Sequence, residues 1–253
     1  MGELVQVSKV DGVATLTLNR PEARNALSYE LIEAMNAGLD GIQREAAPGS
    51  GGARVFILAG AGKSFCAGMD LKGVMSDPRK MGQMLMGLSV FLRRVRRLPI
   101  PTIARVQGAA VGGGCGLMVV PDFAFTHPES KVGYPEVDLG VCPAVVAPWL
   151  IKKLGAGRAR AMLLAGGTMS GQEGFDAGLA THLMPQDQLE SATQEFARKL
   201  LAGGPHAMSV TKRWLNELDG SMDDAPLDKA AELSAQVIAG EEAQSRLRKI
   251  YGE

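Results

Sequence analysis

The chain has 253 residues, and 27 Lys+Arg balance 27 Asp+Glu, so the formal net charge is zero. A chain of this length buries a full core without disulfides or a structural metal, and 46% hydrophobic with 21% charged residues excludes disorder as the main state. Zero net charge argues against a general nucleic-acid binder and gives no electrostatic reason to sit on an anionic membrane.

Val5 and Val7, then Val13, Thr15, Leu16, Thr17 and Leu18, predict two short strands around the hairpin signal Asp11-Gly12. Leu31, Met35, Leu39 and Ile42 then recur at helical spacing between Ser28 and Arg44, with Ser28 placed to cap the start. Gly49 to Gly52 reads as a loop, and Arg54 to Leu58 as a buried strand because it is almost continuously apolar. A glycine-punctuated loop, Gly60 to Gly73, leads to a helix with Leu85, Leu88, Leu92 and Val95 on one face, ended by Pro99 and Pro101. On that helix Arg93, Arg94, Arg96 and Arg97 are expected to form a solvated face rather than a polyphosphate patch. Thr102 to Val106 is another strand, running into Gly108 and the triplet Gly112-Gly113-Gly114.

Strand, helix, strand, helix in this order predicts an α/β fold with a mainly parallel sheet. Past residue 143 helical patterns dominate: Val145 to Leu154, Arg158 to Leu164, Leu189 to Leu201, His206 to Leu218 and Pro226 to Ile250. Leu189, Phe196 and Leu200 share one side of their helix. The expectation is an α/β core over residues 1–200 and a helical C-terminal extension over 201–253.

Cys66, Cys115 and Cys142 form an odd, widely spaced set, as in a cytosolic protein with reduced thiols. There is no CxxC pair, and His127, His182 and His206 stand far apart, so no metal site is expected. The stretch Val106 to Val120 is broken by Gly108, Gly112, Gly113, Gly114 and Gly116, and falls short of the roughly 20 apolar residues of a membrane span. No apolar leader precedes the first strand. A soluble, cytoplasmic protein is expected.

The chemistry is concentrated in two glycine-rich turns that follow predicted strands: Phe65-Cys66-Ala67-Gly68-Met69-Asp70-Leu71, and Gly108-Ala109-Ala110-Val111-Gly112-Gly113-Gly114-Cys115-Gly116. A turn entering a helix presents free N–H groups and the positive end of the helix dipole. Two such N–H groups aimed at one point make an oxyanion hole. Close strand–helix packing is the alternative use of the same glycines. The GxxxxGK[ST] phosphate cradle is absent, and no ribose-binding acid is spaced for a dinucleotide-binding unit.

Four blocks in order resemble the crotonase, or enoyl-CoA hydratase/isomerase, superfamily. They are Arg20-Pro21-Glu22-Ala23-Arg24-Asn25-Ala26-Leu27, the turn Phe65 to Leu71, the run from Pro101-Thr102-Ile103-Ala104 through Gly112-Gly113-Gly114, and Gly133-Tyr134-Pro135-Glu136-Val137-Asp138-Leu139-Gly140. The resemblance covers about Val5 to about Ala202. It implies a spiral of ββα units for residues 1–200, with 201–253 a helical trimerisation or lid region that covers a neighbour's active site or its own. It also implies homotrimers or homohexamers, an acyl-CoA thioester substrate, and no separate cofactor, metal, nucleic acid or membrane partner.

By the same resemblance the amides of Met69 and Gly113 bind the thioester oxygen and Glu136 is the general acid/base. Arg24 and, less directly, Lys72 meet the CoA phosphates. Ala26, Ala67, Gly68, Asp70, Leu71, Gly112, Pro135 and Gly140 line bound substrate or CoA. Met69, Met84, Leu85, Leu88, Cys142 and Trp149 are expected as walls of the acyl pocket.

The pattern departs from the two-acid hydratases at one point. Their second Glu stands where this chain has Gly116. Ala144 likewise occupies the position at which dienoyl isomerases carry an Asp, and Val145 and Val146 follow it where a dehalogenase nucleophile would be sought. A single carboxylate suffices for a 1,3-proton shift. The sequence therefore leaves open hydration of a 2-enoyl-CoA with one Glu, placed first, Δ3,Δ2-enoyl-CoA isomerisation, and an inactive acyl-CoA-binding homologue.

Overall fold

Asp11 and Gly12 both take left-handed backbone, with φ of 48° and 81°, the conformation of a two-residue hairpin turn. They join β1 (Val5–Val10) to β2 (Val13–Leu18), and the two strands pair antiparallel as the sequence predicts. The computed structural model describes residues 3–46, 51–72 and 77–251. Residues 49 and 50 of the expected Gly49–Gly52 loop, and Gly73, lie outside the described residues.

The chain continues through α1 (Tyr29–Glu45), β3 (Val55–Gly60), α2 (Pro78–Arg97), β4 (Thr102–Arg105), β5 (Ala110–Val111), α3 (Gly113–Val119), β6 (Phe123–Thr126) and β7 (Lys131–Gly133). The second half holds α4 (Ala147–Leu154), α5 (Ala156–Ala165), β8 (Thr168–Ser170), α6 (Gly171–Asp176), β9 (His182–Leu183), α7 (Leu189–Leu201), α8 (Pro205–Leu218), α9 (Ala225–Ala239) and α10 (Glu241–Tyr251). Ser28 caps α1, its Oγ accepting the Leu31 N–H at 3.2 Å. At the other end of α2, Pro99 forbids continuation of the helix.

Among the described residues one sheet runs β1-β2-β3-β4-β6-β9 and a second runs β5-β7-β8. Beyond the first hairpin the large sheet is parallel throughout. Strand side chains alternate between faces, and the two faces meet different partners. Phe56 and Leu58 of β3 join the main core beneath α1 and α2, whereas Val55 and Ile57 pack with Leu189 and Ala197 of α7. This double coverage explains why all six residues of β3 are buried.

Two expectations are corrected. The helix expected from Pro226 to Ile250 is two helices, divided at Gly240, whose φ of −72° and ψ of 157° are extended. The arginines of α2 are not a solvated face. Arg93 is 8% exposed and pairs with Asp224 at 3.1 Å and Asp228 at 2.6 Å, Arg96 pairs with Asp219 at 2.7 Å, and Arg97 pairs with Asp224 at 2.8 Å. Arg94 turns the other way, to Asp40 and Asn36 of α1. The row of charge ties α2 to the C-terminal helices. Leu227, Ala231, Ile238 and Leu247 enter the same core as α1 and α2, so the extension packs on its own chain.

Candidate active site

The four sequence blocks lie side by side. Residues 24–27 run along the first glycine turn: Ala67 N–H donates to Arg24 O at 3.0 Å, Leu27 N–H to Gly68 O at 2.8 Å, and Asp70 N–H to Leu27 O at 3.0 Å. The first turn then pairs with the second, through Cys66 N–H to Ala109 O at 2.8 Å and Val111 N–H to Cys66 O at 3.0 Å. The second turn in its turn meets the Glu136 segment, since Gly112 N–H donates to Gly133 O at 2.8 Å and Ala110 faces Val132 in register.

Two residues that carried no assigned role hold this strip in place. Asn25 is fully buried with φ of 54°. Its Oδ1 accepts the Arg20 N–H at 2.8 Å, and its Nδ2 donates to Ala61 O, Ser64 O and Phe65 O at 2.9, 2.8 and 3.2 Å. Arg20 Nη1 meets Asp70 Oδ2 at 2.7 Å and Ala26 O at 3.1 Å. An Asn between Arg24 and Ala26 was a usable signal, because Asn tolerates left-handed backbone and mimics a turn with its side chain.

In a parallel pairing Leu27 spends its own N–H and C=O on Gly68 and Asp70, which leaves the Met69 N–H on the opposite side. Gly113 is the first residue of α3, where an N–H has no intrahelical acceptor. Neither amide has an acceptor among the described residues. The residues adjoin: a Cβ on Gly113 would lie 3.8 Å from Met69 Cγ, 3.1 Å from Leu27 Cδ1 and 3.2 Å from Leu88 Cδ2. The glycine triplet is required by contact. A Cβ on Gly114 would strike the Cys66 carbonyl, and one on Gly112, at φ of 56°, would lie 2.9 Å from Glu136 Oε1.

That last contact brings Glu136 to the second glycine turn. Glu136 opens the 3-10 turn Val137–Leu139, and its C=O accepts the N–H of Leu139 at 3.0 Å and of Val141 at 2.9 Å. Its Oε2 is buried without a hydrogen-bond partner. Burial pushes its pKa up to about 7, its own backbone N–H pulls it down, and the Asp138 charge adds to the rise. Beside it Tyr134 is fully buried with its hydroxyl unpartnered, and burial raises the neighbouring Cys115 thiol to about 12.

Gly116 is crowded rather than open. A Cβ there would lie 2.6 Å from Val146 Cγ1 and 3.8 Å from Leu92 Cδ1. Leu88 and Met69 border Gly113, and the Cys142 thiol is raised by burial with a smaller contribution from the Glu136 charge. Trp149 instead lines a separate cavity with Arg96, Lys152 and Lys153. Arg24 and Lys72 are exposed, Ala26 and Ala67 are half-buried, and Gly68 and Leu71 are buried. Pro135 is half-buried beside Glu136. Gly140 lies under α10, where a Cβ would meet Arg246 Cδ at 2.8 Å. The roof over residues 138–142 is completed by Ser234 Oγ, which donates to Cys142 O at 3.0 Å. The resemblance implied a lid from residues 201–253, but no local pattern marked Ser234 or Arg246 for it.

The family model described as enoyl-CoA hydratase/isomerase matches residues 8–249. An enoyl-CoA isomerase/hydratase of Mycosarcoma maydis is 34% identical over 81% of this chain and 77% of its own. A 1,2-epoxyphenylacetyl-CoA isomerase of Escherichia coli is 32% identical over 93% and 89%. A crystal structure of an enoyl-CoA hydratase/isomerase from Mycobacterium paratuberculosis superposes with a TM-score of 0.86 at 26% identity, covering 98% of this chain and 99% of that one. Two sheets, a helical extension and apposed glycine turns define an α/β crotonase fold. The chain belongs to the enoyl-CoA hydratase/isomerase family.

Proposed function

We propose that this chain moves a proton on an enoyl-CoA thioester with one carboxylate, Glu136, and that its preferred reaction is the shift of a 3-enoyl to a 2-enoyl thioester. The supporting observation is the crowding at Gly116. A Cβ at Gly116, the position of the second acid in the two-acid pattern, would lie 2.6 Å from Val146 Cγ1, while Glu136 Oε1 stands against Gly112. This reverses the order in which the sequence ranks hydration and isomerisation.

In this mechanism the ionised Glu136 takes a proton from C2, and the C–H electrons delocalise onto the thioester oxygen as a dienolate. The N–H groups of Met69 and Gly113 donate to that oxygen, and each such donor is worth on the order of 3–4 kcal/mol in the transition state. Glu136 then returns the proton at C4, leaving the double bond between C2 and C3. A carboxylate with a pKa near neutrality suits both transfers. Arg24 and Lys72 would meet the CoA phosphates. Ala26, Ala67, Gly68, Asp70, Leu71, Gly112, Pro135 and Gly140 border the substrate, with the Asp70 side chain acting through Arg20. No cofactor beyond the CoA of the substrate enters this scheme.

Residues 1–200 would then form the catalytic core and 201–253 its lid and assembly region in a cytoplasmic homotrimer or homohexamer. Val210, Trp214 and Leu218, four residues apart on α8, are each more than half exposed and offer the assembly surface. The reaction is tested on 3-hexenoyl-CoA by chromatographic separation of the isomers and the rise in conjugated enoyl-thioester absorbance, and separately on crotonyl-CoA by mass spectrometry. Conversion of the first to an isobaric 2-enoyl product, faster than water addition to the second, is expected. Rapid hydration of crotonyl-CoA with 3-hexenoyl-CoA untouched would reverse the assignment.

A further inference from the structure

At the end of α3 away from Gly113, a cavity of about 160 Å³ is bordered by Arg96, Asp122, Trp149, Lys152 and Lys153. That is room enough for ordered water or a small ion. Three nitrogen donors on its walls lack acceptors. Trp149 is 2% exposed and its indole N–H is buried with no partner, and Arg96 Nε is buried with none. Lys153 makes no hydrogen bond or ion pair among the described residues.

The acids nearby are already engaged. Asp122 Oδ2 accepts from Thr102 N–H at 2.8 Å, Thr102 Oγ1 at 2.9 Å and Lys212 Nζ at 2.8 Å. Asp219 takes Arg96 Nη2 at 2.7 Å and the N–H of Ser221 at 2.8 Å, and its carbonyl takes Lys152. Arg96, Lys152, Lys153 and Lys212 therefore outnumber the carboxylates of Asp122 and Asp219, and positive charge is left over on the cavity. Burial and, to a smaller extent, the neighbouring Arg96 hold the Lys153 pKa below its usual value, against the opposing pull of the Asp122 charge. Buried donors and charges without partners are costly, and such groups mark the place of an ion or ordered water.

We propose that this cavity is an oxyanion site, separate from the Glu136 centre, that takes a small phosphate or carboxylate group between Lys153, Arg96 and the Trp149 indole N–H. The group comes either from a free anion or from a carboxylate of a second copy of this chain. The inference stands independently of the reaction proposed for Glu136.

The test is thermal unfolding in rising inorganic phosphate, with ionic strength held constant by chloride, alongside sedimentation. The melting temperature of the wild type should climb and saturate with phosphate. Lys153→Gln should weaken that response about tenfold, and Trp149→Phe should weaken it while nearly preserving shape. If the anion is a free one, Lys153→Gln should melt above the wild type in chloride alone, because it removes excess positive charge from the cavity. Turnover of 3-hexenoyl-CoA should be unchanged in Lys153→Gln. If the carboxylate comes from a second copy, Lys153→Gln and added phosphate should each shift the assembly toward monomer, which equally supports the site. Equal melting in phosphate and chloride with no change in assembly would overturn it. So would a Lys153→Gln variant that melts below the wild type in chloride with its assembly unchanged.

Discussion

The Cβ that Gly116 lacks would lie 2.6 Å from Cγ1 of Val146, the residue just ahead of α4. Val146 thus crowds the point at which a second acidic side chain would be attached. Gly116→Glu alone should overpack the site, costing about 1–3 kcal/mol, and should add no hydration of crotonyl-CoA. Gly116→Glu combined with Val146→Gly reopens the space, and should raise crotonyl-CoA hydration about tenfold or more over the single variant. Loss of enoyl-thioester absorbance measures both.

Asn25 makes four side-chain hydrogen bonds to buried or half-buried backbone, one to Arg20 within the first block and three to Ala61, Ser64 and Phe65 at the entry to the first glycine turn. Asn25→Ala strands those groups and loses a residue suited to φ of 54°. A destabilisation of about 2–4 kcal/mol is expected in urea unfolding. The kcat should also fall, since the Met69 amide loses its support.

The raised pKa of Glu136 has a defined sign in stability. Between the ordinary value of 4.5 and about 7 the folded chain holds a proton that the unfolded chain releases, so stability falls as pH rises through that window. On the order of 3 kcal/mol is lost by pH 7. Glu136→Gln removes this loss. It should unfold like the wild type at pH 4.5 and be the more stable of the two at pH 8, as read by denaturant midpoints. The wild-type kcat/KM for 3-hexenoyl-CoA should rise with pH through about 7, because the ionised form starts the reaction.

Arg93 is 8% exposed and holds two carboxylates of the C-terminal region, Asp224 and Asp228. Arg93→Met should release α9 from α2 at a cost of about 3 kcal/mol or less, because both acids are themselves half-exposed. Limited proteolysis should then cut near residues 220–226 faster than in the wild type.

The exposed stripe on α8 gives a prediction on assembly. Trp214→Asp with Leu218→Asp should convert the expected trimer or hexamer to monomer in light scattering, with the fold retained.

Much of this was legible in the sequence because it depends on local pattern. Asp11-Gly12, the cap at Ser28 and the apolar run of β3 are short-range features, and each appears where the residues predict it. The four blocks of the site were legible as motifs, and the structure aligns their backbones. What escaped is contact between distant segments. Nothing in the run Arg93 to Arg97 reveals that aspartates 120 and more residues later will meet it. Likewise Val146 cannot be matched to Gly116 by spacing, because their contact is made by the packing of α4 against α3. The break at Gly240 was a local signal that an otherwise helical pattern concealed.

The most direct measurement is turnover of 3-hexenoyl-CoA by the wild type and by Glu136→Gln, with circular dichroism and melting confirming that both are folded. The wild type should yield the 2-enoyl thioester, and the glutamine variant should be slower by about 10²–10⁴-fold. A folded Glu136→Gln variant turning over within a few-fold of the wild type would contradict the role of Glu136 as the acid/base.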